Sequence, residues 1–133
     1  MRNFHAYHRV KDRGPFGGTI FYTSKTVNAG DILYVVLGRT TGEGGRTEYY
    51  LDGKFGVLSV DANPPGSQWE WKLLLDPLVR SEQPINFSGG SGFDTDGYRN
   101  YFISTGGFKE IKAEKHNLVE LFDRLLAGFR SKK

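Results

Sequence analysis

The chain has 133 residues, enough for one domain with a single core, and hydrophobic and charged residues stand at 38% and 25%. It contains no cysteine, which excludes disulfides, thiol nucleophiles and cysteine-ligated zinc. The formal net charge is +3 and lies toward the two ends: residues 1–46 carry seven Lys/Arg against three Asp/Glu, residues 47–108 four against eight, and residues 109–133 seven against four.

No apolar run approaches the roughly 20 residues that cross a bilayer, and the start, Met1-Arg2-Asn3-Phe4-His5, lacks the apolar stretch of a secretory signal. A cytoplasmic protein is the expectation.

In chain order, Phe4 to Val10 reads as a strand, with Phe4, Ala6, His8 and Val10 on one face and His5, Tyr7 and Arg9 on the other. Arg13 to Gly18 is a loop, and Thr19 to Tyr22 is a short extended piece. Asn28-Ala29-Gly30-Asp31 turns the chain into Ile32–Leu37, apolar throughout, which predicts a central strand covered on both faces. Gly38 to Arg46 is a polar, glycine-rich connection. Over Glu48–Val60, Tyr49, Leu51, Phe55 and Val57 share one parity, whereas Leu58 and Val60 take the other, which predicts a bulge near Gly56.

Asn63-Pro64-Pro65-Gly66 is a turn. Trp69, Trp71, Leu73 and Leu75 then alternate with Gln68, Glu70 and Lys72, a strand with one buried face. Residues 76–108 hold few regular signals, and Ser88–Phe93 reads as a flexible glycine-rich loop. At the end, Asn117 and Glu120 form a capping box, and Leu118, Leu121, Phe122, Leu125, Leu126 and Phe129 make one helical stripe. About five strands closed by a helix predict an α+β fold with a curled, barrel-like mixed sheet.

Catalytic patterns are sparse. His5 and His8 point to opposite faces of one strand, so they cannot share a metal there, and His116 stands apart. Gly42-Glu43-Gly44-Gly45 is followed by no Gly-Lys-Ser/Thr, so it is not a phosphate loop of a known kind. Asp61 with Glu70-Trp71-Lys72 is similar to the acidic residue plus Glu-x-Lys of metal-dependent nucleases, in which two carboxylates hold Mg²⁺ and the lysine assists water. That is one alternative; a protein- or small-molecule-binding domain of the same fold is another.

Binding chemistry is better represented. Ten Phe, seven Tyr and two Trp make up 14% of the chain, large rigid surfaces of which most are expected in the core and some on a ligand. Stacking a base on an aromatic ring is worth roughly 1–3 kcal/mol. Tyr22 is followed by Thr23, Ser24 and Lys25, whose hydroxyls and ammonium could read a base edge or hold a phosphate.

The order of Phe21-Tyr22-Thr23-Ser24-Lys25, Gly30–Val36, Tyr49–Leu58, Trp69–Leu75, a long loop and a C-terminal helix resembles the PUA-like superfamily, especially its EVE and YTH branches, over residues 4 to 127. The resemblance implies a curled sheet with flanking helices and no catalytic activity of its own. It implies a flipped, modified base held in an aromatic cage, and a place in modification-dependent restriction systems beside a nuclease domain. The first cage wall, a Trp before Ser-Thr in YTH proteins, falls on Phe21 or Tyr22; the second falls on Trp69, with Trp71 as substitute.

The expected base-binding set is thus Phe21, Tyr22, Thr23, Ser24, Trp69 and Trp71, with Ser88 and Phe93 on a closing loop. Arg9, Arg13, Lys25, Arg39 and Arg46 are expected on flanking phosphates, with Lys109, Lys112 and Lys115 as a second patch. The expected partner is nucleic acid, DNA ahead of RNA, with no cofactor and no membrane. The chain reads as one domain, either standing alone or cut from a larger protein.

Overall fold

A computed structural model of the chain describes residues 1–10, 14, 16–40, 47–88, 95–103, 107–112 and 118–131. Arg13, Arg46, Phe93, Lys115, His116 and Asn117 lie outside the described residues.

The strands are β1 (Asn3–Arg9), β2 (Ile20–Thr23), β3 (Ile32–Thr40), β4 (Thr47–Ala62), β5 (Trp71–Asn86) and β6 (Phe108–Glu110). Between β5 and β6 lie the short helix α1 (Thr95–Tyr98) and a π-helical turn (Arg99–Ile103); helix α2 (Leu118–Ser131) follows β6. The strands form one sheet in the order β2-β5-β4-β3-β1-β6. β1 and β3 run parallel and the other pairs antiparallel, so the sheet is mixed and the fold α+β. It curls far enough that Phe21 of β2 and Phe108 of β6, on its two edges, bring their rings to 5.8 Å. No helix among the described residues is long and apolar enough to cross a membrane.

The apolar run Ile32–Leu37 is the wall between two cores, as its lack of polar residues predicts. Leu33, Val35 and Leu37 face the inside of the curl with Phe4, Ala6, Phe16, Phe21, Phe55, Val57, Leu73 and Phe108. Ile32, Tyr34 and Val36 face outward and are covered by Tyr98 and Phe102 and by Leu118, Phe122 and Leu126 of α2. The faces assigned to β1 agree: Phe4 and Ala6 enter the inner core, whereas His5 and Tyr7 meet the outer one.

β4 corrects the parity reading. Tyr49 and Leu51 belong to the outer core, but Phe55 and Val57 belong to the inner one. Asp52 is an extra residue opposite Val35 and Val36, and one inserted residue turns every later side chain to the other face. Two further irregularities, between Lys54 and Phe55 and between Val57 and Ser59, lie on either side of Gly56, where one was expected. β5 begins at Trp71 rather than Gln68 and continues to Asn86, well past the expected end.

Candidate nucleic-acid interface

β2 is an edge strand with clean alternation. Phe21 and Thr23 are buried; Ile20 and Tyr22 are exposed, Tyr22 at 39%. Tyr22 stands opposite Lys72 in the β2–β5 ladder, and Thr23 opposite Trp71. Trp69 is not part of β5. It sits in the connection after Asn63–Gly66, where Asn63 Nδ2 donates to the Trp69 carbonyl at 2.9 Å and Asn63 N donates to the Glu70 carbonyl at 2.9 Å. Ser24 Oγ accepts from the Glu70 amide at 3.2 Å, tying this connection to the end of β2.

Held this way, the half-buried Trp69 stacks on Tyr22 with centroids 5.9 Å apart and planes at 20°. Two rings from separate stretches do converge. They stack on each other, however, so no heterocycle stands between them in this arrangement. Beside the pair opens a cleft of about 650 Å³, lined by His8, Phe16, Gly17, Ile20, Phe21, Tyr22, Gln68 and Trp69. That volume falls within the range of small-ligand sites. His8 is oriented by donating Nε2–H to the Gly14 carbonyl at 2.7 Å, and its ring lies 5.4 Å from Phe16.

The remaining expected residues divide. Phe21 packs in the inner core against Phe16 and Phe108 and offers the cleft only part of its surface. Thr23 is buried, its Oγ1 accepting from the Lys25 amide at 3.0 Å, a local turn that aims Lys25 at solvent. Trp71, the first residue of β5, packs against the inner core and does not line the cleft that Trp69 lines. Ser88 is placed with the outer core, where its Oγ accepts from the Tyr49 amide and its carbonyl from Thr95 Oγ1.

The basic residues do not form one patch. Arg9 and Arg39 meet at the same end of β1 and β3, since Arg9 pairs with Gly38, but alternation sends them to opposite faces. Arg39 lies over the Tyr50 ring at 5.1 Å, and Lys109 over Tyr101 at 3.6 Å. Lys112 is exposed just beyond β6. Lys25, in the turn just past β2, and Lys72, on β5, are cations that stand close in sequence or ladder to Tyr22.

Of the carboxylate pattern, Asp61 pairs directly with Lys72 across β4 and β5, whereas Glu70 lies before the strand begins. Among the described residues, no group of three His, Cys, Asp or Glu is close enough to hold a metal ion.

One site was missed by sequence reasoning. Asp52, at the extra position of β4, is buried and pairs with Arg80, whose Nε lies 2.9 Å from Asp52 Oδ2. Burial pushes the Asp52 carboxyl above its usual range, and Arg80, His8 and Arg39 partly oppose that. A lone acidic residue inside an otherwise apolar alternation (Leu51-Asp52-Gly53) was its only trace in the sequence.

No protein-family model matches the chain, and a search of curated proteins finds no match to it.

Proposed function

We propose that this domain is a non-catalytic nucleic-acid-binding module of the PUA-like type that accommodates a flipped, methylated base at the Tyr22–Trp69 cleft. The observation that carries the reading is the surface stack of Tyr22 on Trp69 beside that cleft. An exposed aromatic pair is costly to leave in water, and a base can stack on it whatever its sequence context. His8, Gln68 and backbone groups of Gly17 supply polar atoms at the rim, and Lys25 and Lys72 are suited to flanking phosphates. Stacking then offsets the few kcal/mol needed to unstack the base, and a methyl group gains contact with Phe16 and Ile20. A mixed, curled sheet with a C-terminal helix is compatible with the EVE and YTH resemblance, and a modification-dependent nuclease is the partner class that resemblance suggests.

The test is titration with methylated and unmodified DNA and RNA oligonucleotides, followed by tryptophan fluorescence. The Trp69→Ala and Tyr22→Ala variants should fold normally and lose about 5- to 150-fold in affinity, since one lost stacking contact is worth roughly 1–3 kcal/mol. Unchanged affinity in both variants would remove the proposal.

A further inference from the structure

Asp52 plays no part in the Tyr22–Trp69 cleft, yet its burial needs a reason. The β4–β5 ladder is interrupted around it: Gly53 pairs with Arg80 and Leu51 with Ile85, leaving Ser81 to Pro84 opposite Asp52 alone. The gap leaves a cavity of about 330 Å³ whose lining includes Phe16, Leu37, Arg39, Asp52, Arg80 and Glu82. Phe16 also lines the first cleft, so one ring forms a wall of both.

Arg80 neutralises Asp52 but hydrogen-bonds only one of its oxygens, Nη2 donating to Oδ1 at 3.4 Å. Its Nη2 donates to the Phe16 carbonyl at 3.0 Å and its Nη1 to the Gly17 carbonyl at 3.4 Å, and its plane lies 5.7 Å from both the Phe16 and Phe55 rings. Gly18 keeps room for it, because a Cβ there would stand 2.9 Å from Arg80 Cζ. Fixed by these contacts, the guanidinium meets Asp52 Oδ2 at 2.9 Å as an ion pair but out of line for a hydrogen bond. Oδ2 therefore makes no hydrogen bond among the described residues, although it is buried. A buried acceptor without a donor costs roughly 1–3 kcal/mol, more when charged. Such groups are uncommon enough to need an explanation in a ligand, an ion or water.

We propose that this cavity is a second subsite, across Phe16 from Tyr22 and Trp69, which takes a planar heterocycle bearing an amino group, with Asp52 as the acceptor. The proposal rests on the base-binding reading and names the bases it favours: cytosine, adenine and guanine types, ahead of thymine and uracil. An ionised carboxylate can only accept, so it pairs with an exocyclic amino group and repels a carbonyl at the same place. Phe16 supplies a flat aromatic wall and Leu37 an aliphatic one, and Arg39 at the margin suits a phosphate.

The experiment uses the full chain and labelled single-stranded oligonucleotides identical except for one central base: C, A, G or T. The wild type should bind the C, A or G versions about tenfold more tightly than the T version. Asp52→Asn, which keeps the shape but adds a donor, should narrow that preference, while Trp69→Ala should weaken all four alike. Equal binding of T overturns the subsite, and leaves the base-binding reading standing if Trp69→Ala still weakens all four. No binding of any of the four overturns the subsite, and the base-binding reading falls with it only if methylated oligonucleotides also fail to bind. Should Asp52→Asn fail to fold, the wild-type preference decides the matter.

Discussion

Phe21 and Phe108 belong to strands on opposite edges of a six-stranded sheet, yet their rings meet at 5.8 Å inside the curl. This contact closes the inner core where no backbone ladder does so. Phe21→Ala and Phe108→Ala should each cost about 3–5 kcal/mol. Because the two rings share one space, the double variant should cost less than the sum. Urea denaturation measures all three. A Phe21 variant that keeps full stability and loses only ligand would place this ring in the cleft rather than the core.

His5 is fully buried and its tautomer is fixed. The Gly107 carbonyl can only accept, so Nδ1 carries the proton and donates at 2.8 Å; Nε2 then accepts from the Tyr98 hydroxyl. Burial lowers the His5 pKa to about 4, from 6.5 when unfolded. At pH 7 neither state is protonated and the difference contributes little. Between 6.5 and about 4 the unfolded chain binds a proton that the folded chain refuses, so stability falls with pH, by about 3 kcal/mol in total. His5→Gln should be less stable at pH 7 and should lack this part of the acid slope, which denaturant midpoints from pH 7 to 4 would reveal.

Gly107 is required twice. Its φ is +81°, and a Cβ on it would stand 2.7 Å from the Cβ of Tyr7. Its carbonyl also accepts from the Tyr7 amide at 3.1 Å as well as from His5. Gly107→Ala should lower stability by about 2–4 kcal/mol, combining left-handed strain with overpacking. A thermal shift below that expected for about 1 kcal/mol would show that the turn can relax.

Asp52 and Arg80 should respond unequally to substitution. Asp52 bears its charge against the cost of burial, so Asp52→Asn should leave stability at pH 7 unchanged or raised. Arg80→Met strands a buried carboxylate and should cost about 3–5 kcal/mol at pH 7. That loss should shrink as pH falls, because the raised carboxyl of Asp52 takes up a proton and loses its charge. Chemical denaturation at pH 7 and pH 5 separates the two outcomes.

Much of the fold was legible because its strongest signals are physical ones. Ile32–Leu37 offers no polar face, and the stripe through Leu118, Phe122 and Leu126 admits only a helix lying on something. The length of β5 was hidden by Pro77 and Pro84. Past Leu75, β5 pairs with β4 alone among the described residues, and a strand open on one side tolerates residues that cannot donate. The face switch at Asp52 was hidden for another reason: an inserted residue leaves apolar spacing unchanged in sequence while reversing direction in space. Tyr22 and Trp69 were recognisable as candidate base-stacking rings, but Trp69 was read as part of a strand, and their stacking depends on Asn63 and Ser24 fixing a connection that no periodicity describes.

Leu33, Val35 and Leu37 serve one hydrophobic compartment, and Ile32, Tyr34 and Val36 serve the other. A partition shared by two rooms cannot be removed from one alone. Fraying at the α2 side strips half of that strand's support, and opening at the Phe21–Phe108 closure strips the other half. The molecule is therefore built to melt as one cooperative unit, with the amides of β3 the last to exchange with water.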